Sequence, residues 1–336
     1  MTSVRPRPLS RAVIWAILAG TLLFVLASIT PWSLFLEFVS KLNLFATVFL
    51  GIFIEALPYL LVGTLISGIV EVFLDRELMA RFISKRSVPA AVTGALMGLI
   101  FPVCECGVIP LTRRLFHKGL PLPAGIAFLL AAPVMNPIVI FSTAAAFGWG
   151  PMLVWRMGIS LLIAFIVGLV FSVEKDPSTV LRDLTLSHEH EHSHETLNPS
   201  FTSKIQRALL ICADEFFEMG RYLIIGAMLA AGLQTFVSQG ALLSIGNGPI
   251  LSVLVMMVLA IILSICSTVD AFVALGFVGT FSFGSILSFL VFGPMVDIKS
   301  ILMYSQVFRR KPVAYLVLLP FLMSLLAGIV FNYFVP

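Results

Sequence analysis

The segment FPVCECGVIP, residues 101–110, places two thiols and a carboxylate inside a strongly apolar run. Thiolate sulfur binds soft, thiophilic species such as trivalent arsenic or d-block cations. A thiol loses its proton when it binds a metal, and a neighbouring carboxylate can take that proton. Cys104 and Cys106 are therefore candidate substrate ligands, and Glu105 is a candidate for both substrate binding and proton coupling.

The spacing of the two cysteines has consequences only if the backbone is unwound. Residues two apart share a face in an extended segment, whereas in a helix they point to nearly opposite sides. Pro102, Gly107 and Pro110 favour an unwound segment here. We therefore predict that Cys104 and Cys106 converge on one point. The alternative is that both thiols are packed as small apolar side chains.

A second copy of this pattern lies about 160 residues further along the chain. Three pairs of segments align in order and at a nearly constant offset, as an internal repeat would. They are EALPYLLVG at 55–63 with EMGRYLIIG at 218–226, CECGVIP at 104–110 with CSTVDAF at 266–272, and PVMN at 133–136 with PMVD at 294–297. Paired repeats with broken helices are typical of secondary transporters, whose sites lie near the membrane midplane.

The repeat adds four residues to the predicted substrate site: Cys266, Asp270, Asn136 and Asp297. Asp270 is the second candidate for proton coupling. Ionisable groups inside apolar runs are costly and indicate function by default. Each has a structural alternative: packing for Cys266, structural ion pairing for Asp270, a bond to freed backbone for Asn136, and mutual neutralisation for Asp297 and Lys299.

Four of the five histidines form the tract HEHEHSH: His188, His190, His192 and His194. Imidazole alternating with carboxylate can chelate a divalent transition cation weakly. A solvated linker of mixed charge is the alternative. The tract lies outside the apolar runs, so any bound metal would serve delivery or sensing rather than the transport step.

The amino-acid composition indicates whether these residues lie in a soluble protein or in a membrane protein. Of 336 residues, 59% are hydrophobic and 11% are charged, and the mean hydropathy is +1.07. Such a chain is an all-α polytopic membrane protein of the cell membrane. The nine apolar runs are 12–32, 43–74, 88–112, 119–148, 151–173, 205–237, 249–279, 284–308 and 312–334.

Basic residues indicate which loops face the cytoplasm. If every run crossed once, the clusters at 76–86 and 113–118 would lie on opposite sides. A re-entrant segment at 88–112 removes this conflict, makes the repeats inverted and leaves only Lys41 and Arg156 near the outer face. The alternative is nine crossings, with parallel repeats and an external linker.

The predicted organisation has four parts. They are a basic N-terminus with an extra transmembrane helix (1–42), a first permease repeat (43–173), a polar His-rich linker (174–204) and a second permease repeat (205–336).

The sequence from 101 to 148, with its CECG and PVMNP elements, resembles the signature region of the ArsP-like predicted permeases. The likeness covers most of residues 43–334. That family includes exporters of trivalent organoarsenicals and members linked to soft or heavy metals. The resemblance implies a permease and says little about its particular substrate.

Three classes of function follow. The first is an ion-coupled secondary permease that exports a soft metal or metalloid species. The second is a channel-like component, or a subunit of a larger permease complex, with a non-metal substrate. An intramembrane enzyme is disfavoured, because the GxSxG and GxxxxGK[ST] motifs are absent and HExxH occurs only within the polar tract at 188–194, outside the apolar runs. We expect no cofactor and no nucleic acid. The expected partners are the lipid bilayer, a small inorganic or organometalloid substrate, and a second copy or a partner permease subunit.

Overall fold

The computed structural model describes residues 15, 21, 32–74, 83–84, 86–101, 103–174, 177–182, 201–237, 240 and 248–334. Within these ranges the chain is helical. The helices are α1 (Trp32–Phe73), α2 (Ser87–Ile100), α3 (Glu105–His117), α4 (Leu122–Met135), α5 (Pro137–Phe147), α6 (Pro151–Val170), α7 (Pro177–Val180), α8 (Phe201–Phe236), α9 (Leu251–Leu263), α10 (Asp270–Leu275), α11 (Phe283–Phe292), α12 (Ile298–Val307) and α13 (Arg310–Phe334). The chain divides into two compact units, residues 1–47 and 48–336.

Five helical stretches are long and apolar enough to cross a membrane. They are Phe35–Phe73, Leu122–Phe147, Pro151–Val173, Phe201–Phe236 and Arg310–Phe334. Helices α2, α9 and α11 are apolar but shorter. The all-α prediction is therefore confirmed for the described residues. Most of the predicted run at 12–32 and the tract at 188–194 lie outside them.

Four predicted runs are interrupted rather than continuous. Phe101 is extended after α2, Asn136 separates α4 from α5, and Ser264 ends α9 in a left-handed conformation with φ 47°. Asp297 is extended before α12. Proline explains the break at Asn136, since a residue that precedes proline is forced out of the helical region. The expectation of broken helices is correct.

The breaks lie inside two similar packing arrangements. In the first half α4 packs against α2 and α6, and in the second half α11 packs against α9 and α13. The helices after the breaks pack across the halves: α3 contacts α12, and α5 contacts α10. The interrupted segments of both halves therefore meet in the interior.

Candidate functional site

The three predicted thiol ligands lie together at two of the helix breaks. Cys104, Cys106 and Cys266 are all buried and none forms a disulfide. The Cys104 thiol lies close to the thiols of both Cys106 and Cys266. The sequence predicted this convergence. The backbone conformation that brings the thiols together differs from the predicted one.

The sequence predicts an unwound segment from Pro102 to Gly107, but among the described residues the backbone is helical from Glu105 onward. Cys104 is extended and caps α3, and its carbonyl accepts hydrogen bonds from the N–H groups of Gly107 at 3.1 Å and Val108 at 3.0 Å. Glu105 and Cys106 are already in the first turn. A carboxylate is favourable at a helix N-terminus, which helps the helix to begin here. The junction between extended and helical backbone brings the two thiols together.

A close backbone contact fixes the position of this first turn. A Cβ added at Gly63 would lie 2.3 Å from the Gly107 Cα. Real side chains never approach so closely, so α1 and α3 can touch here only because both residues are glycine. The glycine of CECG thus serves the packing of α3 against α1.

Lys299 is a buried lysine that lies among the acidic candidates. Its Nζ atom is 3.3 Å from Asp297 Oδ2 and 3.6 Å from Glu105 Oε1, and it donates a hydrogen bond of 2.8 Å to the Ser264 carbonyl. Lys299, Glu105 and Asp297 are each nearly inaccessible to solvent. Buried charges must be compensated, and here Lys299 compensates carboxylates from both halves of the chain.

Two polar side chains at matching positions of the repeat cap their helices. The Asn136 side-chain oxygen accepts a hydrogen bond from the Val139 N–H at 2.9 Å, and its amide donates to the Val103 and Ala132 carbonyls. Asp297 accepts hydrogen bonds from the Ser300 N–H and from the Ser264 hydroxyl, both at 2.6 Å. Both residues satisfy backbone groups that the breaks would otherwise leave unpaired.

Arg156, which the basic-residue pattern predicts near the outer face of the membrane, has a side chain that is fully buried within the protein. Its guanidinium donates to Asp270 Oδ2 at 2.6 Å and to the Thr143 hydroxyl at 2.8 Å. The sequence signal for this ion pair was a cation inside the apolar run 151–173, because a buried cation requires a buried counter-ion. Sequence separation gave no indication that Asp270, in the other half, supplies it.

Two carboxylate oxygens in this region have no hydrogen-bond partner. They are Glu105 Oε2 and Asp270 Oδ1, both buried. Each acid therefore pairs with a cation through one oxygen and leaves the other available to a proton or a ligand. A buried unpaired polar atom is costly and calls for such an explanation.

The fourth cysteine, Cys212, lies apart from this cluster. The Cys212 sulfur is 3.5 Å from the Thr64 hydroxyl, between α8 and α1. Among the described residues, those of the thiol cluster included, no group of three or more His, Cys, Asp or Glu side chains is arranged to hold a metal ion. The histidines His188, His190, His192 and His194 fall outside that part of the chain.

The C-terminal end of α3 carries a separate set of ion pairs. Arg113 pairs with Glu218 at 2.9 Å, and Arg114 pairs with Glu215. Lys118 lies 3.5 Å from Glu71. These contacts join α3 to α8 and α1. They place three cations at one end of α3, whereas the thiols lie at its other end.

Apolar helices that are interrupted around buried charged groups are typical of polytopic transport proteins. The chain belongs to the predicted permease family ArsP_1, whose model matches residues 41–333. The resemblance drawn from CECG and PVMNP is thereby confirmed. The chain is a multi-pass membrane protein.

Two relatives cover most of the chain. It is 45% identical to the UPF0718 protein YcgR of Bacillus subtilis over 79% of its length and 89% of the relative. It is 38% identical to a putative two-component membrane permease complex subunit of Streptococcus mutans, over 79% of its length and 87% of the relative. A Methanocaldococcus jannaschii protein, UPF0718 protein MJ0584, is 31% identical over 24% of the chain and 22% of the relative. No solved structure matches the chain significantly.

Proposed function

We propose that this protein exports a soft metal or metalloid species, such as a trivalent organoarsenical or a heavy-metal cation, by ion-coupled secondary transport. The observation that carries the proposal is that three buried thiols lie close together, Cys104 beside both Cys106 and Cys266. Thiols that converge from two halves of a chain, beside buried carboxylates, suit a thiophilic solute. Transport rather than catalysis agrees with the family.

The two substrate classes make different demands on protons. A dihydroxy arsenical that binds two thiols loses two hydroxide groups, which leave as water with the two thiol protons, so no net proton is released. A cation that binds the same thiols displaces one proton for each sulfur bound. Glu105, which adjoins both Cys104 and Cys106 in the chain and has an unpaired oxygen, is the proposed acceptor.

Asp270 is the second proposed coupling group. It faces Arg156, whose charge it balances, so protonation of Asp270 would weaken a contact between α6 and α10. A change in that contact would affect both halves of the chain, because α6 belongs to the first half and α10 to the second. Proton binding and helix movement would then be linked in the way that a coupled permease requires.

Inverted repeats are part of the proposal. Support comes from the matched breaks, from Asn136 and Asp297 as equivalent helix caps, and from the similar packing of the two halves. The basic clusters offer further support, because the backbone beside Arg182 in the linker hydrogen-bonds to the segment before Arg310, and nine crossings would place these two segments on opposite sides. Cations gathered at one end agree with a common cytoplasmic face.

A second candidate is a subunit role in a larger permease complex with a non-metal substrate. The observation that favours it is the name of the Streptococcus mutans relative, which describes a subunit of a two-component membrane permease complex. In this case a partner subunit would be required for transport, and the thiols would serve packing.

Transport by the purified chain separates the two candidates. We expect proteoliposomes that contain the protein alone to accumulate a trivalent organoarsenical or Cd²⁺. Cys104→Ala with Cys106→Ala should abolish this uptake. Cys212→Ala is the matched control, since that thiol contacts Thr64 instead of the cluster. Uptake that is unchanged in the double variant would contradict thiol ligation, and uptake that appears only with a second subunit would favour the complex.

A further inference from the structure

A basic pocket lies where α6 ends and α13 begins. Its volume is about 660 Å³, and three cations line it: Arg309, Arg310 and Lys311. Glu174 is the single carboxylate among the described residues that line it. Among the described residues Arg310 and Lys311 form no ion pair. The pocket therefore carries uncompensated positive charge.

One wall of this pocket is fixed by a short stretch of the linker. The Arg182 N–H donates to the Val307 carbonyl at 3.0 Å, and the Arg309 N–H donates to the Val180 carbonyl at 2.9 Å. The Arg182 guanidinium also donates to the Ser305 carbonyl at 2.7 Å. These bonds hold residues 177–182 alongside the segment before α13, so the pocket has a built wall.

The pocket sits at the ends of two membrane spans. The span Pro151–Val173 ends in it, and the span Arg310–Phe334 begins in it. Side chains at such ends lie at the level of the lipid headgroups. Basic pockets between transmembrane helices at that level bind anionic headgroups.

The other lining residues are apolar and partly exposed. Val170, Val173 and Tyr315 remain 45%, 83% and 55% exposed while lining the same pocket. Cations beside accessible apolar side chains match a ligand with a phosphate at one end and hydrocarbon at the other. A water-soluble anion would leave that apolar surface uncovered.

We propose that this pocket binds one anionic phospholipid, with its phosphate at Arg310 and Lys311 and its chains against α6 and α13. The lipid would touch both halves of the chain, because α6 belongs to the first and α13 to the second. A ligand that binds only the folded state stabilises it. The site is separate from the thiol cluster and does not depend on the proposed substrate.

The test uses the full-length protein, delipidated in a neutral detergent. We expect phosphatidylglycerol, but not phosphatidylcholine, to raise its melting temperature in a saturable manner and to remain as one bound lipid in native mass spectrometry. Arg310→Gln with Lys311→Gln should weaken phosphatidylglycerol binding roughly fivefold for each cation removed, and roughly twenty-five-fold for the pair.

A matched control removes two cations at another pocket. Lys204→Gln with Arg207→Gln changes the net charge equally, but these residues line a different pocket beside Glu71. It should keep wild-type lipid affinity. Equal losses in both double variants would overturn the proposal in favour of general surface charge. An equal stabilisation by water-soluble glycerol phosphate would overturn it in favour of a soluble anion.

Discussion

At the scale of single residues, Lys299 is the side chain on which the buried charges depend. It lies 3.3 Å from Asp297 and 3.6 Å from Glu105. Lys299→Met would leave both carboxylates without a cation, and breaking a buried pair in this way costs about 3–5 kcal/mol. We expect a clearly lower melting temperature in detergent.

Two comparisons make the Lys299 measurement specific. Adding Glu105→Gln to Lys299→Met removes one uncompensated charge and should restore part of the lost stability. Lys41→Met breaks the exposed pair with Glu37 and should leave the melting temperature unchanged, because exposed pairs contribute little. If the double variant melts below Lys299→Met, the pairing between Lys299 and Glu105 is not stabilising.

Substitution by the corresponding amides tests whether Glu105 and Asp270 carry protons. Glutamine and asparagine keep the shape and hydrogen bonding of the two acids but cannot carry a proton. We expect Glu105→Gln to retain substrate binding and to lose proton-driven transport, and we expect the same of Asp270→Asn. Loss of transport in only one of the two variants would assign coupling to that residue alone. Pumping that survives in both variants would exclude both residues.

The residue pairs show where reasoning from the sequence stopped. The thiols could be predicted to meet, because the repeat aligns Cys104 with Cys266 and both lie at helix breaks. The Arg156–Asp270 pair could not be predicted. Its partners are 114 positions apart, and apolar composition indicates that a buried cation needs an acid without indicating which acid.

At the scale of elements, helix breaks were predictable and helix boundaries were not. Pro137 and the polar groups around it mark the end of α4, because local chemistry decides that break. The start of α3 at Glu105 is different. It depends on hydrogen bonds to the Cys104 carbonyl and on contact with α1 through Gly63, which is tertiary packing. Nothing in the local sequence specifies that contact.

The contact between α1 and α3 gives a prediction at this scale. Gly63→Ala would place a Cβ 2.3 Å from the Gly107 Cα, so the two helices must separate. We expect a loss of about 1–3 kcal/mol in stability, the usual cost of overpacking, and weaker transport because α3 carries the thiols.

Gly220→Ala is the matched control for Gly63→Ala. Nothing lies within 4 Å of a Cβ added at Gly220 on α8, and alanine favours a helix. Its melting temperature in detergent should equal or exceed that of the wild type. Equal melting temperatures for Gly63→Ala and the wild type would show that α1 and α3 can separate without cost.

At the scale of the whole molecule, the question is which side of the membrane each loop faces. Cations at the C-terminal end of α3 lie near those at the start of α8, since Lys118, Lys204 and Arg207 share a pocket. The Phe116 ring contacts the Phe308 ring at 6.1 Å, next to the basic segment 309–311. We therefore predict that residues 113–118, 309–311 and the linker all face the cytoplasm.

Labelling from outside the cell decides between this inverted arrangement and the parallel one. The four native cysteines are buried, so single cysteines can be introduced without removing them. Trp149→Cys, in the exposed turn between α5 and α6, should react in intact cells with a maleimide that cannot cross the membrane. Lys311→Cys and Ser193→Cys should react only after the cells are opened. Reaction of Ser193→Cys in intact cells would place the linker outside, and the two repeats would then be parallel.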